Sequence, residues 1–237
     1  MQRLAKELDS DSEVVLNAEK VNWISPCGTI LLADFAMKRL QRNKKVSIKM
    51  PAHNETKQYI ISSGLLKITQ STNINDAIDA NNIELRLLHR MEPMVPESLS
   101  DFIAGRANNV NEGEKYLLRM WITELLTNAN DHAKSDFGFW VCGRYNPSDH
   151  NIRICVADSG IGIKQSLVNA GKLPKNIDNR YQGTIVSVMF NTQTMSGDER
   201  RAPDQTPFRI IYVLIIFSPN NFTMGSKSRS ACNNDNW

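Results

Sequence analysis

The chain has 237 residues, 41% of them hydrophobic and 22% charged, and a formal net charge of only +3. That is enough apolar material for one large domain or two ordinary ones, and it excludes wholesale disorder. So small a net charge also argues against a dedicated nucleic-acid face, which concentrates basic residues. The densest basic run, KRLQRNKK at residues 38–45, reads as the end of a helix, where cations meet the negative end of the dipole.

The four cysteines, Cys27, Cys142, Cys155 and Cys232, form no C-x-x-C pair, so their spacing points to neither a zinc site nor a disulfide framework. The opening MQRLAKELDSDSE lacks the apolar core of a secretion signal. The longest apolar run, IIYVLIIF at residues 210–217, falls far short of the ~18 residues of a membrane helix. These features predict a soluble, reduced, cytoplasmic protein with neither a membrane nor a nucleic-acid partner.

In chain order, EVVLNAE reads as a strand. Ser25 then stands as a helix N-cap with Pro26 at the first helical position, where its missing N–H costs nothing. Ile30, Leu31, Ala33, Met37 and Leu40 supply the apolar stripe of that helix. KKVSIKMP is a strand stopped by Pro51, and NETKQYIISSG a helix closed by Gly64. Strand, helix, strand, helix favours a parallel or mixed sheet with helices packed on it. The stretch VNWISPCGTILLADFAMKRLQRNKKVSI resembles the STAS domains of bacterial anti-sigma antagonists. Signalling members of that family are phosphorylated on a serine near the position of Ser25, which by its local sequence ISPCG reads here as a cap.

TQSTNINDAIDANN is polar and marks a boundary. IELRLLHRM reads as a strand, PESLSDFIAGRANN as a short helix and NEGEKYLLRMWITELLTNANDHAK as a long one, with Tyr116, Leu117, Met120, Trp121, Leu125 and Leu126 as its apolar stripe. FGFWVCGRYNPSDHNIRICVADSG reads as a hairpin of two alternating strands around the turn-forming NPSD. FRIIYVLIIF is a strong strand former, an aggregation hazard if left unpaired, between a polar linker and a tail expected to be disordered.

The long helix carries Glu124, Asn128 and His132 at four-residue steps, which drift by only about 40° and so share a face. Asp131 points about 100° away from His132. Alone, such a row is more often a solvated helix edge. About 25 residues on, the apolar strand ICVAD ends in Asp158, followed by Gly160 and Gly162. A carboxylate at a strand end can accept a hydrogen bond from an exocyclic amine, and glycines there let a planar ring lie against the backbone. A tight turn would use the same residue types.

Together, Glu124-x-x-x-Asn128-x-x-x-His132 and Asp158-x-Gly160-x-Gly162 resemble the N-box and first glycine box of the GHKL (Bergerat) ATPases, closest to the anti-sigma serine kinases. The resemblance implies that Asp158 binds the adenine amino group, with Gly160 and Gly162 admitting the base. It makes Asn128 a Mg²⁺ ligand, Glu124 the catalytic group that orients or deprotonates the attacking hydroxyl or water, and His132 a neighbour of the phosphates. It gives Thr184, after Gly183, a grip on the adenine from the side opposite the sheet. ATP and Mg²⁺ are the implied cofactors.

The 20 residues between Gly162 and Gly183 hold no second glycine-rich box, whose backbone N–H groups would cradle phosphates. Lys164, Lys172 and Lys175 are the obvious substitutes, and the spacing reads as the loss of a segment.

The expected organisation is an α/β (α+β) chain. A STAS-like unit spans residues 1–68, a linker and lead-in strand 69–96, a shortened Bergerat-type α/β sandwich 97–191, and an unassigned strand with a disordered tail 192–237. The expected function is use of Mg-ATP to phosphorylate a protein serine or to gate binding of a regulatory protein partner, and a homodimer stays open. The alternative is a catalytically inactive interaction scaffold with a degenerate ATP site.

Overall fold

The computed structural model describes residues 13–69, 79–107, 110–132, 135, 137–162, 168–172, 183–192 and 211–215. The fold is α+β. Strands β1 (Val14–Asn17) and β2 (Val46–Lys49) form a small parallel pair, joined through helix α1 (Pro26–Leu40). Helices α2 (Asn54–Ser62) and α3 (Leu65–Ile68) follow. The main sheet is antiparallel, in the order β3 (Asn82–Leu88), β4 (Phe139–Asn146), β5 (Asn151–Asp158), β6 (Thr184–Asn191) and β7 (Ile211–Ile215). Between β3 and β4 run helices α4 (Met94–Ala104) and α5 (Glu112–Thr127), the latter ending in a π-helical turn, Asn128–His132.

Local chemistry explains the helix boundaries. The Ser25 hydroxyl accepts from the Gly28 N–H at 3.1 Å, and Pro26 opens α1 without losing a bond. Gly64 takes φ +78° just past α2, a conformation that strains any residue with a Cβ. Asn111 and Glu114 close a reciprocal capping box at the start of α5, with bonds of 2.9 and 3.0 Å.

The main sheet is covered on both faces. On one, Val95, Leu99 and Ile103 of α4 and Leu118, Ile122 and Leu126 of α5 pack on Leu88, Phe139, Val141, Ile152, Ile154, Val156, Val188 and Phe190. On the other, Cys27, Ile30, Leu31 and Ala33 of α1 pack on Leu85, Trp140, Cys142, Cys155, Ala157 and Ile185. Phe35 and Ala36 of α1 meet Val46 of the small sheet. Helix α1 is thus wedged between two sheets and takes part in the core of the larger one.

This double cover corrects the expectation of two simply alternating hairpin strands. Only near the turn, at Arg144 and Arg153, does polar alternation survive. Further along, Trp140 and Cys142 on β4 and Cys155 and Ala157 on β5 are buried by α1, so the strands read as continuous apolar runs. A register shift between Ile83 and Arg86 places both Ile83 and Leu88 on the α4–α5 face despite their odd separation. Strand β7, from the apolar run FRIIYVLIIF, is paired along β6.

The start of the chain, most of the polar boundary at 70–78, the linker from residue 193 and the tail lie outside the described residues. Among the described residues, no helix is long and apolar enough to cross a membrane.

Candidate functional site

Successive residues of a strand point to opposite faces, so the direction of Asp158 follows from its neighbours. Ile152, Ile154 and Val156 of β5 all enter the α4–α5 core, which puts Asp158 on that face at the strand's end. On β6, Val186, Val188 and Phe190 face the same way, and so therefore does Thr184. In register, Phe139, Asp158 and Thr184 stand side by side across β4, β5 and β6. The strand-end carboxylate and the threonine, 26 positions apart in sequence, form one row facing the helical layer.

Asp158 is 6% exposed. Burial pushes its carboxyl above the usual aspartate range, and the nearby charge of Asp34 pushes the same way. Hydrogen bonds from the Gly160 N–H, at 2.9 Å, and from the N–H and hydroxyl of Thr184 oppose that shift. A carboxylate has two oxygens and about four acceptor sites, so these bonds leave acceptor capacity.

The glycines here make room for backbone rather than for side chains. Gly162 has φ +72°, and a Cβ on it would lie 2.8 Å from the Gly183 carbonyl oxygen. Gly183 has φ +120°, and its Cβ would lie 2.3 Å from the Asp158 carbonyl oxygen. The loop after β5 and the entry to β6 therefore interlock backbone to backbone, which only glycine permits.

Thr184 stands in the sheet beside Asp158, because Gly183 and Thr184 open a strand antiparallel to β5.

Helix α5 is anchored by Leu118, Ile122 and Leu126. At 100° per residue, Glu124 lies roughly 160° from both Ile122 and Leu126, and it is exposed. Asn128, at the C-terminal cap, is exposed too. Glu124 and Asn128 thus lie on the outer side of α5, away from Leu118, Ile122 and Leu126. Asp158 and Thr184 face the inner side. What connects the two groups is the π turn, which begins at Asn128 and lies against β5. The turn is tied down by Asn130, whose side-chain oxygen accepts from the Met91 N–H at 2.8 Å. Single π turns inside helices are rare and recur at functional sites. His132 closes this turn; its side chain, like Lys164 and Lys175, lies outside the described residues, while Lys172 is exposed.

Sequence reasoning missed two groupings. The Ser159 hydroxyl, between the aspartate and the first glycine, donates to Asp34 of α1 at 2.7 Å, and Asp34 also pairs with Lys38 at 2.7 Å. Cys27, Cys142 and Cys155, scattered in the chain, meet in the core between α1 and the sheet. Spacing carried no signal for either, since each joins segments more than 100 residues apart. Among the described residues no cluster of histidine, cysteine or acidic side chains is arranged to hold a metal.

Comparison with protein-family models, curated proteins and solved structures gives no match.

Proposed function

We propose that this protein binds Mg-ATP in a Bergerat-type pocket and uses it to phosphorylate a protein or to gate a protein interaction. The observation that carries this reading is the row formed by Asp158 and Thr184, facing the layer that contains α5. A buried carboxylate accepts from the exocyclic amine of adenine, and the Thr184 hydroxyl beside it supplies a polar group for the ring edge. Asn128 stands at the end of α5 whose π turn touches β5, and its amide oxygen is a suitable hard ligand for Mg²⁺ shared with phosphates. Glu124, one turn back on the outer side, is the group to orient or deprotonate the attacking hydroxyl. His132 belongs near the phosphates, and the STAS-like N-terminal unit is the natural transmitter of nucleotide state to a regulatory partner.

The second reading is a nucleotide-free interaction scaffold. It is favoured by two observations: no G-x-G box follows Gly162 to cradle the phosphates, and Glu124 lies on the side of α5 away from Asp158. The deciding experiment measures ATP binding and ATP consumption on the full chain and on Glu124→Gln. Saturable Mg-dependent binding by both, with turnover only in the parent, supports the enzyme. Unchanged turnover in Glu124→Gln overturns the role of Glu124, and no saturation near millimolar nucleotide leaves the scaffold.

A further inference from the structure

The cysteine cluster between α1 and the sheet is built asymmetrically. Cys27 sits in the first turn of α1, at the positive end of the helix dipole, and is 8% exposed at the edge of the core. Cys155 lies on β5 and is completely buried. The Cys155 thiol donates to the Cys27 sulfur at 2.9 Å, only about 0.9 Å beyond a covalent S–S bond. Cys142 is the cross-strand neighbour of Cys155, and its S–H donates to the Pro26 carbonyl at 3.3 Å.

The two sulfurs differ in acidity as well as position. The hydrogen bond from Cys155, with smaller help from Ser187 and Arg153, brings the Cys27 thiol down to about 7 against the opposing effect of burial. Burial pushes Cys142 and Cys155 up. Near neutral pH the edge sulfur carries thiolate, the nucleophilic form, and the buried one keeps its proton.

We propose that Cys27 and Cys155 form a redox-responsive dithiol, in which a hydroperoxide oxidises Cys27 and Cys155 closes an intramolecular disulfide between α1 and β5. With hydrogen peroxide, the Cys27 sulfur attacks one oxygen, the O–O bond breaks, and hydroxide leaves and is protonated to water. The resulting sulfenic acid is attacked by the Cys155 sulfur. The S–O bond breaks, and the hydroxyl leaves with the Cys155 proton as a second water. Two thiols lose two electrons and one peroxide gains them. Cys142, held to the Pro26 carbonyl and protonated, is a bystander. The bond ties the N-terminal unit to the strand that ends, three residues later, in Asp158. It is independent of the nucleotide reading.

The test treats the full chain and its Cys142→Ser/Cys232→Ser variant with hydrogen peroxide, counts free thiols in denaturant and maps peptides without reduction. Thiols in the parent should fall from four to two, and in the variant from two to none, through a Cys27–Cys155 link that dithiothreitol reverses. In Cys27→Ser the same peroxide dose should leave Cys155 reduced. Any one of three results overturns the proposal: Cys27 ending as sulfinic or sulfonic acid without a crosslink, a crosslink to Cys142 or Cys232 instead, or no thiol loss.

Discussion

Ser159 donates its hydroxyl proton to Asp34 at 2.7 Å, joining the loop that follows Asp158 to a helix that lies 125 residues earlier in the chain. Asp34 is also the partner of Lys38 on its own helix, so one carboxylate serves both the helix and the loop. The contact is only partly exposed, and a hydrogen bond to a charged acceptor there contributes about 1.5–3 kcal/mol. In a double-mutant cycle of Asp34→Ala and Ser159→Ala, urea unfolding should show a coupling energy of about 1 kcal/mol or more. Strict additivity would mean that the bond does not persist in solution.

Gly162, Gly171 and Gly183 make a graded series. Gly171, at φ +71°, has open space around its missing Cβ, so Gly171→Ala should cost only the conformational penalty of about 1 kcal/mol. Gly162→Ala meets the Gly183 carbonyl oxygen at 2.8 Å, and Gly183→Ala meets the Asp158 carbonyl oxygen at 2.3 Å. Both obstacles are backbone, which cannot swing aside. Thermal unfolding should rank Gly183→Ala as the worst, with a loss above about 4 kcal/mol, then Gly162→Ala, then Gly171→Ala.

Because α1 and α5 pack on opposite faces of one sheet, the chain from β1 to β6 should unfold as one unit. Ile30 and Leu126 are buried on those opposite faces. Ile30→Ala and Leu126→Ala should each lower a single common transition, by about 2–5 kcal/mol. Two transitions, each moved by only one of the variants, would show that the N-terminal unit folds separately.

Acidity separates the proposed binding role of Asp158 from its structural cost. Its native carboxyl titrates above the unfolded value of 3.8, because burial favours the protonated form. The group's stabilising contribution is therefore full below pH 3.8 and is lost as pH rises through the raised native value. The ionised carboxylate is the stronger acceptor for the adenine amine, so nucleotide affinity should change the opposite way, falling on acidification at a pH above 3.8. Affinity measured against pH should show this fall in the parent and none in Asp158→Asn.

The elements themselves were largely legible. Ser25 and Pro26 mark the start of α1 and Gly64 the end of α2. The buried face of α5 is not the expected one: of the expected stripe, Tyr116, Leu117 and Met120 are exposed, and the side that packs is Leu118, Ile122 and Leu126. What the residues could not display was the second cover on the sheet. Trp140, Cys142, Cys155 and Ala157 look like the outward halves of alternating strands until α1 is placed over them. For the candidate site, the sequence displays residue types but not the directions in which they point. Asp158 shares a face with Ile154 and Val156, which strand periodicity allows one to infer, whereas the outward turn of Glu124 depends on which side of α5 meets the sheet. The Ser159–Asp34 and Cys155–Cys27 contacts needed the tertiary arrangement, since no local period links positions so far apart.

The central claim is a pocket that reads adenine through the Asp158 carboxylate, and equilibrium titration with Mg-ADP and Mg-GDP tests it most directly. Adenine offers an amine where guanine offers a carbonyl, and a carboxylate accepts from the first and repels the second. Saturable ADP binding at least about tenfold tighter than GDP, with the preference abolished in Asp158→Asn, is the predicted result. Equal affinity for the two nucleotides, or an ADP preference that survives in Asp158→Asn, would contradict it.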